Sequence, residues 1–375
     1  IRSTTTSRAP LSPGSRLPPN GRFPLTQRCD LLVLNAGTLL TMAGGVARDG
    51  AVAVRGGRIA AVGPSRRIRR DWKAKRTLDA GGGLVTPGLV DPHTHAVFAG
   101  NRALEFEMRA LGRTYREIAA AGGGILSTVR ATQKASNAEL TAALRSRLDR
   151  MLEAGTTTAE VKSGYGLTLR DEIRILEAVR GMRHPVRLIP TFLGAHAVPP
   201  EYRKRRGAYV DLVCDRMIPA VAKRHLARFC DVFVDEGAFT LEEGRRVLEA
   251  ARGQGLGLKI HAEEFAWTGA SSMAARLGAV SADHLMRIRD ADIRAMARAG
   301  TVAVCLPVTT LFVGEKAYAP ARRMIRAGVR VAIATDLNPG SSHAYSMALA
   351  MTLACLGLRL SPLEAWEAAT IHAAR

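Results

Sequence analysis

Short apolar runs of strand length recur eight times between residues 83 and 340 of this 375-residue chain. Helix-length segments such as NAELTAALRSRLDRMLEAG and TLEEGRRVLEAARGQG lie between them. Strands that are apolar throughout are typical of parallel sheets, and eight strand–helix units close into a barrel. We therefore predict an α/β protein with a (β/α)8 barrel over residues 84–375. The eight runs are GLVTPGLVD, TTTAEVKSG, VRLIPTFLG, DVFVDEG, LGLKIHAEE, GAVSADHL, TVAVCLPV and VRVAIATDLNPG.

The segment before the barrel has a different pattern. Residues 29–83 contain short alternating segments such as DLLVLNAGTLLTM and GAVAVRGGRIAAVG, which glycine-rich turns separate. Alternation of this kind is typical of strands with one buried face, so we expect a small β-sandwich domain here. Residues 1–28 are rich in Ser, Thr, Pro and Arg and have no apolar period. That composition predicts a disordered extension.

The composition bears on which partners the chain can have. A net charge of +21 is compatible with nucleic-acid binding, but only 5% of the residues are aromatic, which leaves few rings for base stacking. The longest strongly apolar stretch, residues 347–358, is too short to cross a bilayer. Five scattered cysteines indicate reduced thiols and a cytoplasmic location. We expect a small-molecule substrate and neither a nucleic-acid nor a membrane partner, with a homodimer as an open alternative.

Five of the nine histidines fall at or just beyond the ends of predicted strands: His93, His95, His196, His261 and His284. The C-terminal ends of barrel strands are where such proteins build their active sites. His93 and His95 are two residues apart, so both side chains point the same way. His261 and Asp336 end two later strands. Three imidazoles and one carboxylate suit zinc, with iron as a second choice, so the sequence predicts a site for one metal ion.

With this set of residues the chain resembles the amidohydrolase superfamily and, within it, the imidazolonepropionase family. The paired histidines alone are typical of the whole superfamily, whereas EVKSGYGL, FLGAHAVP and DLNPGSS are much more specific. The resemblance runs from about Asp30 to the end of the chain. Its motifs are VDPHTHAVFAGNR, GTTTAEVKSGYGL, PTFLGAHAVPPEY, DVFVDEGAF, LKIHAEEF, SADHL and ATDLNPGSS.

The resemblance implies hydrolysis of the cyclic amide C–N bond of 4-imidazolone-5-propanoate to N-formimidoyl-L-glutamate, a step of L-histidine degradation. It also implies one Zn²⁺ or Fe³⁺ per chain. The implied metal ligands are His93, His95, His261 and Asp336. The implied substrate contacts are Arg102, Tyr165, His196, Glu264, Asn338, Gly340 and Ser341. The implied catalytic residues are Asp336, Glu264 and His284.

Opening a cyclic amide at neutral pH needs a nucleophile stronger than water, and a metal lowers the pKa of a bound water towards ~7. Asp336 can contact the metal and accept the proton, but Glu264 and His284 can form a second proton relay. The sequence leaves open which of the three is the principal base. A departure from the family is His343, where a proline is expected after NPGSS. The family also continues past ATIHAAR with strands that complete the small domain, so we expect those strands to be missing.

Two alternatives to this function remain open. The first is another mononuclear amidohydrolase that acts on a cyclic amide or an aminated heterocycle. A two-metal hydantoinase is disfavoured because it needs a carboxylated lysine at the end of the fourth strand, where DVFVDEGAF has none. The second is a basic nucleic-acid-binding protein that retains an inactive barrel, which the intact set of metal-ligating residues disfavours.

Overall fold

The computed structural model describes residues 26–42, 45–113, 117 and 123–375. The chain divides into two compact units, residues 1–86 and 87–375. The disordered extension predicted for residues 1–28 lies outside the described residues, except for residues 26–28. The domain boundaries given by the sequence stay predictions.

The N-terminal unit is a mixed sheet with one helix. Its strand order is β3-β2-β1-β4, and β5 also pairs with β1. β1 is antiparallel to β2 and parallel to β4 and β5. Apolar side chains are buried on both faces of the sheet, and Ile68 of the helix packs on one of them. The expected small β unit is therefore present. Its elements are β1 (Gln27–Leu40), β2 (Val46–Arg55), β3 (Arg58–Pro64), α1 (Ser65–Asp71), β4 (Trp72–Asp79) and β5 (Leu84–Val85).

The second unit contains an eight-stranded parallel sheet in which the strands follow one another in sequence order, from β6 to β13. Each strand overlaps one of the eight apolar runs of the sequence, so the predicted barrel is confirmed. Its strands are β6 (Leu89–Asp91), β7 (Thr156–Lys162), β8 (Arg187–Ala195), β9 (Phe229–Val234), β10 (Gly257–Ala262), β11 (Ser281–His284), β12 (Val302–Cys305) and β13 (Val331–Ile333).

Helices lie between the barrel strands in the sequence. Among the described residues, no helix combines the length and apolar character that a bilayer crossing requires. A 3-10 turn covers Pro200–Tyr202, and a π-helical turn covers Val213–Met217. The α-helices are α2 (Ala103–Ala110), α3 (Ile125–Lys134), α4 (Asn137–Glu153), α5 (Leu169–Gly181), α6 (Arg206–Leu212), α7 (Ile218–Lys223), α8 (Leu241–Gly253), α9 (Ala270–Arg276), α10 (Asp290–Ala299), α11 (Pro307–Phe312), α12 (Ala321–Arg326), α13 (Met347–Leu356) and α14 (Pro362–Ala368).

Helix α4 shows why these segments form helices against the sheet. Leu140, Leu144, Leu148 and Met151 recur every three or four residues and are all buried, which gives the helix one apolar stripe. Ser136 begins the helix with a capping box, which satisfies backbone donors that the first turn leaves unpaired. The stripe fixes which face of the helix packs inward.

The barrel is nearly closed by a short seam between the ends of β6 and β13. Thr94 and Leu337 form a parallel bridge. The backbone N–H of Asp336 donates to the carbonyl of His93 at 3.1 Å, and the N–H of His95 donates to the carbonyl of Leu337 at 2.9 Å. The seam therefore brings together three of the four predicted metal ligands through backbone hydrogen bonds alone.

A buried carboxylate, that of Asp91, also links the two sides of the seam. Asp91 accepts hydrogen bonds from the backbone N–H of Thr335 at 3.1 Å and from its hydroxyl at 2.5 Å. Both residues are fully buried. Because a buried donor that loses its acceptor cannot turn to water, this contact should contribute measurably to stability.

We expect Asp91→Ala to lower the free energy of unfolding by about 1–3 kcal/mol, the cost of leaving a buried donor unpaired. Asp91→Asn keeps a carbonyl oxygen for the Thr335 N–H and should lose less. Urea denaturation of the wild type and both variants, all freed of metal with a chelator, measures the difference. Equal midpoints for Asp91→Ala and the wild type would contradict this role.

Candidate metal centre and active site

The four predicted metal ligands converge at the C-terminal end of the barrel. Oδ1 of Asp336 lies 3.5 Å from Nε2 of His93 and 3.5 Å from Nε2 of His95. Nε2 of His261 lies 3.4 Å from Nε2 of His95. All four side chains are buried. The three ring nitrogens and the carboxylate oxygen thus belong to one buried cluster.

The chemistry of this group fits a metal ion. Nε2 of His93 is buried and has no hydrogen-bond partner among the described residues. Burial lowers the pKa of His93 and of His95 well below the usual value, so both rings are neutral. A neutral imidazole whose unprotonated nitrogen faces other acceptors is unfavourable unless a cation lies between them. These residues therefore form a buried His/Asp site that could hold a metal ion: His93, His95 and Asp336 make one suitable group, and His93, His261 and His284 make another.

Carboxylates hold the other nitrogen of two of these rings. Nδ1 of His93 lies 2.6 Å from Oδ2 of Asp283, and Nδ1 of His261 lies 3.0 Å from Oδ1 of Asp231. A carboxylate accepts the Nδ1 proton, which leaves the Nε2 lone pair for a metal. Neither aspartate is among the site residues predicted from the sequence.

Asp336 is held in a constrained position. Its backbone has a φ of 53°, in the left-handed region that residues with a Cβ rarely adopt. Oδ2 accepts a hydrogen bond from the hydroxyl of Thr309 at 2.6 Å, so Oδ1 is the oxygen that faces the imidazoles. Burial raises the pKa of Asp336 to about 6, and the Thr309 hydrogen bond opposes that rise.

Glu264 and His284 form a second buried pair beside the ligands. Oε2 of Glu264 lies 3.6 Å from Nδ1 of His284. The His284 ring centre is 5.2 Å from that of His261 and 5.6 Å from that of His93. Burial raises the pKa of Glu264 well above, and lowers that of His284 well below, the usual value. The turn that carries Glu264 is fixed by Asp235, whose Oδ2 accepts the Glu264 N–H at 2.7 Å.

Two further rings form one wall of the site. The His196 ring lies almost parallel to that of His95, with centres 4.9 Å apart. The Tyr165 ring centre is 5.3 Å from that of His196 and 5.8 Å from that of His95. Nδ1 of His196 lies 3.0 Å from the carbonyl oxygen of Gly164, which fixes the ring on its loop. Flat aromatic surfaces therefore lie directly beside the metal ligands.

The remaining predicted residues meet where the first and last loops of the barrel approach each other. Oδ1 of Asn338 accepts the N–H groups of Gly340 and Ser341, both at 2.8 Å, which makes a tight turn. The Arg102 guanidinium lies against this turn: a Cβ on Gly340 would be 2.1 Å from its Nη1. Nε and Nη2 of Arg102 both donate to Oε2 of Glu105, at 2.9 and 2.7 Å. The structure thus places all the predicted site residues at one end of the barrel.

Several residues of the site were not predicted. Glu160 and Lys162 lie on β7, Asp231 lies on β9, and Asp283 directly precedes His284. Charged residues two positions apart on a barrel strand point to the same side, which was an available signal for Glu160 and Lys162. The partner of each charge lies on a different strand, which the sequence does not reveal.

Comparisons with known sequences agree with this geometry. A model of the amidohydrolase family matches residues 84–375, and one of a bacterial imidazolonepropionase-like composite domain matches residues 50–72. The imidazolonepropionase of Symbiobacterium thermophilum is 53% identical over an alignment of 362 residues, and the alignment covers 92% of this chain and 85% of that protein. The imidazolonepropionase of Myxococcus xanthus is 50% identical over 359 residues, with the same two coverages.

Solved structures share the fold. An adenosine deaminase from Xanthomonas campestris with bound zinc superimposes with a TM-score of 0.64 over 93% of this chain and 80% of that chain, at 20% sequence identity. An identity this low supports the fold alone. The close sequence relatives, together with the buried His/Asp site, establish that the chain belongs to the amidohydrolase family and, within it, to the imidazolonepropionases.

Proposed function

We propose that this chain hydrolyses the cyclic amide C–N bond of 4-imidazolone-5-propanoate and yields N-formimidoyl-L-glutamate, a step of L-histidine degradation. Water is added across that bond, so the ring carbonyl becomes a carboxyl group and the ring nitrogen gains a proton. The observation that carries the proposal is the buried His/Asp site in a chain that is 53% identical to an imidazolonepropionase.

His93, His95, His261 and Asp336 would hold one metal ion per chain. Three nitrogens and one oxygen favour zinc, and ferric iron is the alternative. When bound, such a metal supplies Lewis acidity and lowers the pKa of a water molecule that it coordinates. The carboxylates behind His93 and His261 would keep the ligating nitrogens free of protons.

Proton transfer is assigned to Asp336 and to the pair formed by Glu264 and His284. Oδ2 of Asp336 already accepts the Thr309 hydroxyl, and its Oδ1 faces the ligand nitrogens. The distance of 3.6 Å between Glu264 and His284 is too long for a strong hydrogen bond, so that carboxyl keeps capacity for water or substrate. This favours the Glu264–His284 pair as the carrier that delivers a proton to the leaving nitrogen.

The substrate would lie between the ring wall and the turn at Gly340. Tyr165 and His196 offer flat surfaces for the imidazolone ring. Arg102 offers a guanidinium to the propionate, because a planar fork can hold a carboxylate with two hydrogen bonds. Glu105 holds Arg102 through Nε and Nη2, which leaves Nη1 directed at the turn.

We also propose that the chain acts on a small molecule and is located in the cytoplasm. A small-molecule substrate follows from the family. All five cysteines are free, which supports a reducing, cytoplasmic environment. A homodimer stays a prediction, which size-exclusion chromatography with light scattering can test.

The first test is to incubate the purified protein with 4-imidazolone-5-propanoate and to follow N-formimidoyl-L-glutamate by mass spectrometry. We expect product formation, close to one zinc or iron per chain by elemental analysis, and loss of turnover with a chelator. Two metals per chain would overturn the single-site assignment. A metal-loaded protein that forms no product would overturn the proposed substrate.

A second test concerns the ligands. We expect His261→Ala to reduce the bound metal to a small fraction of the wild-type value, because one of four donors is lost. His184→Ala is the matched control, since His184 pairs with Asp149 at 2.9 Å, away from the ligand cluster. Metal analysis after dialysis measures both. Equal metal content in the two variants would exclude His261 as a ligand.

A third test concerns the substrate anchor. Charge-assisted hydrogen bonds contribute about 1.5–3 kcal/mol, so Arg102→Ala should lower kcat/KM roughly 10- to 150-fold while metal content is unchanged. Gly340→Ala should act in the same direction, because its Cβ would displace Nη1 of Arg102. Arg145→Ala, on the exposed face of α4, should have no effect. Wild-type kcat/KM in Arg102→Ala would place the anchor elsewhere.

A further inference from the structure

A fully buried lysine lies inside the barrel, below the metal ligands. Nζ of Lys162 donates to Oδ2 of Asp231 at 2.6 Å and to Oε1 of Glu160 at 2.8 Å, and lies 3.8 Å from Oδ2 of Asp283. Burial of an ammonium group is costly unless carboxylates surround it. The proposed reaction has no step for this lysine, so its position calls for another explanation.

The lysine contacts the two aspartates that hold the ligand histidines. Asp231 uses Oδ2 for Lys162 and Oδ1 for Nδ1 of His261. Asp283 uses Oδ2 for Nδ1 of His93. A continuous chain of hydrogen bonds therefore runs from the Lys162 ammonium through Asp231 to His261.

The second aspartate has a different partner on its other oxygen. Oδ1 of Asp283 accepts from the hydroxyl of Ser281 at 2.6 Å. A serine hydroxyl can donate or accept, whereas an ammonium group can only donate. The side chain at position 231 must therefore direct a hydrogen-bond acceptor at Lys162. The side chain at position 283 can direct either an acceptor or a donor at Ser281.

We propose that Lys162 is a positioning residue, which through Asp231 fixes His261 with its proton on Nδ1 and its Nε2 lone pair directed at the metal. Because Asp231 is a carboxylate, it satisfies the ammonium and still accepts the His261 proton. This inference rests on the metal site of the proposed function. Lys162 would thereby determine which nitrogen of His261 carries no proton.

Lys259 offers a matched comparison. It is a second buried lysine in the same cluster, and its Nζ donates to the carbonyl oxygen of Pro92 at 3.0 Å. It lies 3.5 Å from Oδ2 of Asp283 and 3.7 Å from Oε1 of Glu160. These contacts bypass Asp231, so Lys259 should not control His261.

The experiment compares the two isosteric substitutions Asp231→Asn and Asp283→Asn. In Asp231→Asn, Lys162 attracts the amide oxygen, so the NH2 group faces Nδ1 of His261 and the ring must carry its proton on Nε2. Zinc affinity should then fall ~10- to 100-fold, the range known for lost outer partners of metal ligands. In Asp283→Asn, the NH2 group can turn to Ser281 and the oxygen stays with His93, so the affinity should fall much less.

Two readouts are needed, and neither uses substrate. Competition with a chromophoric chelator measures zinc affinity, and long-range 1H–15N NMR of the zinc-free protein reports which nitrogen of His261 is protonated. We expect the proton on Nδ1 in the wild type and on Nε2 in Asp231→Asn. A proton that stays on Nδ1 in Asp231→Asn would overturn the inference, as would equal zinc affinities for the two variants.

A double variant separates positioning from simple packing. When Lys162→Met is added to Asp231→Asn, the amide is free to turn its oxygen to His261, so zinc affinity should rise above that of Asp231→Asn alone. Lys259→Met added to Asp231→Asn should give no such recovery. Equal recovery by both lysine variants would overturn the inference.

If a lysine variant fails to fold, the NMR comparison of the wild type with Asp231→Asn still tests whether Asp231 sets the protonated nitrogen of His261. A wild type that binds no metal would instead overturn the proposed function. The NMR result does not depend on metal binding, so the two failures can be told apart.

Discussion

Closure of the barrel between β6 and β13 is the constraint on which the site depends. The backbone hydrogen bond from Asp336 to His93 and the bridge between Thr94 and Leu337 close the ring of strands. They also set the spacing between His93, His95 and Asp336, three of the four proposed metal ligands. A barrel that opened at this seam would move these three residues apart, because the backbone hydrogen bonds of the seam are their own.

The polar interior of the barrel is a second consequence of placing a metal site there. Lys162, Lys259, Glu160, Asp231 and Asp283 are all buried where barrels of this type pack apolar side chains. A buried ion cluster is rarely more stable than an apolar core of equal volume. This cluster orients the histidine rings, because Asp231 and Asp283 each present one fixed acceptor to a ring.

Much of the fold could be predicted because its signal is local. Each barrel strand overlaps one apolar run, and the ends of these runs mark the C-terminal face of the barrel, where the structure places His261 and Asp336. The partners of Asp231 could not be predicted. Lys162 lies on β7, two strands away from Asp231 on β9, and His261 lies on the neighbouring β10, so only the register across the sheet brings the three together. The left-handed backbone conformation of Asp336 could not be predicted from the sequence either.

The proposed substrate anchor, Arg102, lies beside the same seam. Arg102 follows the first barrel strand and Gly340 follows the last, and their contact leaves no room for a Cβ. Arg109, on the same helix as Glu105, donates to the Gly340 carbonyl at 2.6 Å and so ties the helix to the turn. Arg102 and three of the proposed metal ligands, His93, His95 and Asp336, are therefore all positioned from one junction, where the first and last strands of the barrel meet.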